Sequence, residues 1–217
     1  MNLWQKTVRQ FNEHRAAVGF FLIWFLGMPI FYFLLNRPIG EVLDLTMDID
    51  LAIPLRTEWI LLYHLYYPLA LYTAWSLLIR DPERLRRFSL NLIFAEIGAL
   101  ITYVFFQTEV PRPEIVATGL WDRLTLLTYA SDNPYNGFPS LHVITLTAII
   151  IHIGRANNMP RRRRVIVSVL AMLIIASTVL VKQHVFLDII GGVVYSAVAC
   201  WLVFIVEKRR ESGMSRS

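Results

Sequence analysis

Six stretches of this chain stay apolar for about the length an α-helix needs to cross a bilayer, and that recurrence limits the fold more than any other feature. A hydrocarbon core about 30 Å thick takes roughly 20 apolar residues at the helical rise. The runs cover approximately Val18 to Leu35, Glu58 to Ile79, Phe88 to Thr108, Phe138 to Gly154, Val165 to Val181 and Phe186 to Val206. The first is too long and too aromatic for a cleaved signal, and no small-residue cleavage site comes before Asn36-Arg37-Pro38, so it counts as a span. With 56% hydrophobic and 17% charged residues in 217, the composition agrees with a membrane protein. The expected fold is all-α, a polytopic six-transmembrane-helix bundle forming a single integral membrane domain over residues 1–217. Cys200 lies inside an apolar run with no second cysteine to pair with and reads as a packing residue.

The bases fall on one side of these spans, and cytoplasmic connections are the ones that carry excess Lys and Arg. Lys6, Arg9 and Arg15 precede the first span, and Arg80, Arg84, Arg86 and Arg87 follow the second. Arg155 and Arg161 to Arg164 follow the fourth, with Lys208, Arg209, Arg210 and Arg216 in the tail. Both termini are therefore expected in the cytoplasm. The opposite connections are acidic, with Glu41, Asp44, Asp48, Asp50, Glu58, Glu109, Glu114, Asp122, Asp132 and Asp188. The formal charge of +5 thus reflects topology and does not predict a nucleic-acid partner. The run Arg161 to Arg164 reads as a topology signal, with anionic lipid head groups as its alternative ligand.

Three polar clusters fall at the acidic face. Arg112, in Val110-Pro111-Arg112-Pro113, follows the third span; Pro139-Ser140-Leu141-His142 opens the fourth; Lys182-Gln183-His184 with Asp188 joins the fifth to the sixth. The first amides of a helix lack intrahelical acceptors and its dipole favours anions, so the start of the fourth span suits a phosphate. Ser140 serves there as cap or phosphate donor, Arg112 offers a planar fork, Lys182 adds a point charge, and Gly137 and Pro139 restrict the turn. His184 and Asp188 are four residues apart and share a helical face, an imidazole with a carboxylate to orient it. Such a histidine can attack phosphorus, and His142 is the second group that would protonate the leaving oxygen. No cofactor or metal is required by this chemistry; a zinc site from His142, His184 and Asp188 is the alternative.

At these residues the chain resembles the type 2 phosphatidic acid phosphatase superfamily, which combines an Arg-Pro element, a Pro-Ser-x-His element, and a His followed four residues later by Asp. The resemblance covers roughly Tyr103 to Gly192 and the six-span layout. It implies His184 as nucleophile, Asp188 as its charge partner, His142 as general acid, and Arg112, Ser140 and the Leu141 amide as phosphate ligands. The chain departs from the pattern at Phe105, where the family often has a lysine, and at Thr178, where it often has an arginine; Lys182 is the expected replacement. The segment Asn136 to His142, with Lys182-Gln183-His184, also resembles the branch of inositol phosphotransferases, in which an alcohol takes the place of water.

The expected activity is hydrolysis of a membrane lipid phosphate at the extracytoplasmic face, with head-group phosphotransfer as first alternative and a non-catalytic transporter or scaffold as second. The compact chain suits a bacterial inner membrane. Glu96, Asn91 and His64 lie within spans and are expected to pair inside the bundle. His152 lies about 15 Å along the helix from His142 and is expected at the interface. Gly191-Gly192 permits close packing, while Trp59, Tyr63, Tyr66, Tyr67, Trp75 and Trp121 read as interfacial belts. The long connection Glu109 to Gly137 contains an apolar stretch, Leu120 to Tyr129, suited to a short helix over the site.

Overall fold

In the computed structural model, which describes residues 3–156 and 158–214, the protein is 75% helical. The main helices are α1 (Leu3–Glu13), α2 (Arg15–Leu35), α3 (Tyr66–Arg80), α4 (Pro82–Phe105), α5 (Leu120–Ser131), α6 (Leu141–Gly154), α7 (Arg161–Leu180) and α8 (Phe186–Met214). Among the described residues four helical stretches are long and apolar enough to cross a membrane: α2, α4, α7 and α8 as far as Arg209. Their outward faces carry exposed side chains such as Phe31, Phe33, Met172, Val194 and Phe204. Apolar faces with no protein partner at this length call for lipid as their solvent. Arg216 and the side chain of Arg210 lie outside the described residues.

The other two apolar runs differ from their sequence reading. The second divides into Ile60–His64 and α3. Pro68 explains the break, because it offers no amide hydrogen and its ring crowds the carbonyl four residues earlier, that of His64. The fourth yields only the 14-residue α6, about 21 Å long, since Pro139 and the Ser140 cap place its start three residues inside the apolar run. A helix this short is accommodated because it is the hub: α3, α4, α7 and α8 all pack on it, and Val143, Ile144, Leu146, Ala148 and Ile149 are fully enclosed. α4 starts at Pro82, six residues before its apolar run, capped by the Asp81 carboxylate, which accepts from the Arg84 amide at 3.2 Å.

α1 was not anticipated from the apolar runs. Leu3, Trp4, Val8 and Phe11 make one exposed apolar stripe on it while Lys6 and Arg9 occupy other positions, a pattern that suits a helix lying in the head-group layer. His152, expected at an interface, is instead 3% exposed, edge-on to Phe88 at 5.7 Å, with neither ring nitrogen hydrogen-bonded. It sits on the inward face of α6, and the hub position of that helix buries it. Asn91 behaves as expected and donates to the Ser196 carbonyl at 2.8 Å.

The connections above the bundle are stitched together. Leu43–Asp44 pairs in parallel with Thr108–Glu109. Buried Gln107 donates to the Leu35 and Arg37 carbonyls and to Asn136 Oδ1, and accepts from the Ile39 amide at 2.7 Å. The Asp132 carboxylate accepts from Tyr32 at 2.9 Å and Asn36 at 2.6 Å, joining the end of α5 to the end of α2. Burial raises the Asp132 carboxyl above the usual carboxylate range, opposed by the Tyr32 bond and the positive charge of Arg112.

Candidate active site

The start of α6 is fixed by three hydrogen bonds. Ser140 Oγ accepts from the Val143 amide at 3.3 Å, the Ser140 amide donates to the Asp188 carbonyl at 3.2 Å, and Tyr103 donates to the Pro139 carbonyl at 2.6 Å. Ser140 is thus a fully buried helix cap, while the amides of Leu141 and His142, the first of the helix, have no intrahelical acceptor. Gly191 and Gly192 bring α8 against this turn. A Cβ on Gly192 would meet Val143 Cβ at 2.6 Å and the Ser140 carbonyl at 2.9 Å; one on Gly191 would meet the Phe138 ring at 2.5 Å. Gly192→Ala is therefore expected to cost about 1–3 kcal/mol of stability, since backbone as well as side chain must shift. Thermal unfolding in detergent should show the loss, with turnover falling alongside it as the α6 to α8 spacing widens.

That close approach brings the two histidines edge-on to each other. His184 Nδ1 lies 3.2 Å from Asp188 Oδ2, which also accepts from the Val185 amide at 3.0 Å. Asp188 is 1% exposed and His184 9%. A buried carboxylate on Nδ1 selects the tautomer that presents Nε2 with a free lone pair. The ring of His142 is 5.6 Å from that of His184 and is held by Tyr66 at 4.5 Å and Tyr63 at 4.8 Å. No hydrogen bond restrains His142 among the described residues, so its ring nitrogens remain free for a ligand. Tyr63 and Tyr66, read from sequence as interfacial, are instead the walls that place this histidine; their clustering after Glu58 was the only sequence signal.

His142 and His184 share a cavity of about 230 Å³. Its wall continues through Tyr32, Tyr103, Leu141 and Asn136 and descends past Tyr66 and Tyr67 to Trp24 and Glu96. Thr128, Ser131 and Asp132 contribute from α5, so the short helix expected over the site is present and borders the cavity. His64, expected to pair inside the bundle, bonds Thr128 Oγ1 at 3.0 Å and lines the same space. Asn136 was missed as a site residue: its Oδ1 is taken by Gln107, while its Nδ2 is a buried donor without a partner. Such a group costs roughly 1–3 kcal/mol unless something binds it.

Arg112 is fastened from three sides. It donates to the carbonyls of Tyr129 at 3.0 Å and Asp132 at 2.7 Å and to Gln183 Oε1 at 3.0 Å, with its guanidinium 4.6 Å above the Tyr129 ring. Its Nε has no partner. Burial lowers the pKa of this guanidinium, opposed by Asp132, and raises the Tyr129 phenol to about 12.

Lys182 is placed elsewhere than its sequence reading required. At φ 53° it turns its ammonium to the carbonyls of Asp50 at 2.8 Å and Ile53 at 2.6 Å, and it does not line the cavity. Asp50 Oδ1 in turn accepts from the Phe186 amide at 2.7 Å, capping α8. Lys182 and Asp50 thus anchor the Asp48–Ala52 helix to the His184 turn, with the ammonium engaged by backbone carbonyls away from the histidine cavity. Sequence spacing gave the position of Lys182 on the chain but not its left-handed backbone. Among the described residues no three His, Cys, Asp or Glu side chains are grouped so that they could hold a metal ion.

The family model described as PAP2 superfamily matches residues 84–212, more than half of the chain and all of the residues Arg112, Ser140, His142, His184 and Asp188. No curated protein and no solved structure shows significant similarity to the chain. Four membrane-length apolar helices fit the same family, whose members are generally phosphatases. The chain therefore belongs to the PAP2 superfamily.

Proposed function

We propose that this protein is a lipid phosphate phosphatase that works through a phosphohistidine on His184. The observation that carries the reading is the pair of histidines that line one cavity with their ring centroids 5.6 Å apart, one of them locked by a buried carboxylate. His184 Nε2 attacks phosphorus as the bond from phosphorus to the lipid oxygen breaks, and His142 gives that oxygen its proton. Asp188 balances the positive charge that the imidazole acquires. His142 then takes a proton from water, the hydroxide attacks phosphorus, and the phosphorus to nitrogen bond breaks to release inorganic phosphate and restore both histidines. No step calls on a metal.

The phosphoryl oxygens are received by the Leu141 and His142 amides at the start of α6, by Asn136 Nδ2 and by the field of Arg112, with Ser140 holding the amides in line. The fold fits six crossings, in which the broken second run and the short α6 complete the four long helices, with both termini cytoplasmic and the site extracytoplasmic in a cell membrane such as a bacterial inner membrane. A lipid head group enters from the side between α2 and α3, where Phe25, Phe33 and Tyr67 border the cavity, and its tail stays in hydrocarbon. Purified protein given a panel of lipid monophosphates and diphosphates is expected to release inorganic phosphate, unaffected by chelator. A labelled donor with added alcohols separates the outcomes: a phosphorylated alcohol in place of free phosphate would make the protein a phosphotransferase of the same site.

A further inference from the structure

The cavity reaches deeper than phosphoryl transfer needs. Thr145 lies three residues beyond His142 on α6, about 4.5 Å farther into the bundle. At that level Glu96 Oε1 accepts from Trp24 Nε1 at 2.7 Å and from Thr145 Oγ1 at 3.3 Å, and Tyr66 bonds the same Thr145 hydroxyl at 3.1 Å. Glu96 Oε2 accepts no hydrogen bond among the described residues, and Glu96 lines the cavity that holds both histidines. One acceptor oxygen satisfies Trp24 and Thr145, so their needs do not account for a carboxyl group, which is costly inside a span. Around it the walls are the aromatic residues Trp24, Tyr66, Tyr67 and Tyr103.

With phosphorus between the histidines and the leaving oxygen on His142, the group esterified to phosphate is directed down this wall towards Glu96. We infer that Glu96 is a specificity residue whose free carboxyl oxygen accepts a hydrogen bond from a donor on the lipid within a few bonds of the phosphate ester. The substrate class is then a lipid phosphate bearing a hydroxyl or amine beside the phosphate, as opposed to one whose neighbouring carbons are all apolar, such as a polyprenyl phosphate. This rests on the phosphatase reading, because it is that chemistry that aims the esterified group at Glu96.

The test compares 1-oleoyl-glycerol 3-phosphate with its 2-deoxy counterpart, a pair differing by one hydroxyl, and with the analogue carrying an amine at the same carbon. Wild-type protein is expected to favour the hydroxyl lipid in kcat/KM by roughly threefold to tenfold, the size of one hydrogen bond. Preference for the amine analogue over the hydroxyl lipid would identify the donor as an ammonium. In Glu96→Gln the ratio of hydroxyl to deoxy turnover should collapse towards one, and in Glu96→Asp, which withdraws the carboxyl by one methylene, it should fall part of the way. Equal turnover of all three lipids by wild-type protein would overturn the inference and leave the phosphatase reading standing. So would Glu96→Gln slowing every lipid by the same factor, the mark of a purely structural carboxyl. If Glu96→Gln does not fold, the wild-type ratios and the aspartate variant decide. Release of phosphate from none of the lipids by folded wild-type protein would overturn the phosphatase reading itself.

Discussion

Replacing His184 with alanine is expected to leave a folded protein that releases no measurable phosphate from any lipid phosphate, a fall on the order of 10⁵-fold or more in kcat. The size follows from the role: His184 is the cavity histidine whose tautomer a buried carboxylate fixes, and His142, the proposed acid, cannot also be the nucleophile. Asp188 would keep its bond from the Val185 amide, and its carbonyl would still hold the Ser140 amide, so the start of α6 survives the truncation. Rapid quenching of wild-type protein with phosphorus-labelled lipid should trap acid-labile label on the protein, and His184→Ala should trap none. Turnover by a clean preparation of the variant would remove His184 from the mechanism.

Asp188→Asn is expected to reduce kcat by on the order of 10²-fold or more with little change in unfolding temperature. The asparagine oxygen still accepts from the Val185 amide, and the backbone carbonyl is unaltered, so the scaffold is retained. What disappears is the negative charge 3.2 Å from Nδ1, and with it the balance for the imidazolium of the proposed phosphohistidine. The oxygen that accepts from Val185 is the one that faces Nδ1, so the tautomer that frees Nε2 is retained. Heteronuclear spectra of labelled histidine should show that tautomer unchanged at His184 while kcat falls. A variant with undiminished kcat would mean that Asp188 only holds structure.

The proposed catalytic set could be named before the fold because its chemistry is local or motif-borne. His184 and Asp188 lie one helical turn apart, and Ser140 caps the helix that its own sequence starts, so spacing alone puts them in register. The membrane-spanning runs were legible because hydrocarbon thickness imposes a length. The break at Leu65 was also encoded, by Pro68, but a window of mean hydropathy does not register a missing amide hydrogen.

The residues that escaped the sequence reading depend on distant partners. Tyr63, on the Ile60–His64 helix, and Tyr66, at the start of α3, became the frame of His142 only when both were packed beside α6; Asn136 Nδ2 is an unpaired donor, while its oxygen is taken by Gln107, 29 positions away. Lys182 has the charge expected of a phosphate ligand, yet from a left-handed backbone it carries that charge to the carbonyls of Asp50 and Ile53. Charge, spacing and apolar length are properties of neighbouring residues and were written into the chain from the start. Which side chains share a cavity, and which direction a lysine turns, are settled by long-range packing, because burial and backbone hydrogen bonds compete with every local preference and win where the helices close on one another.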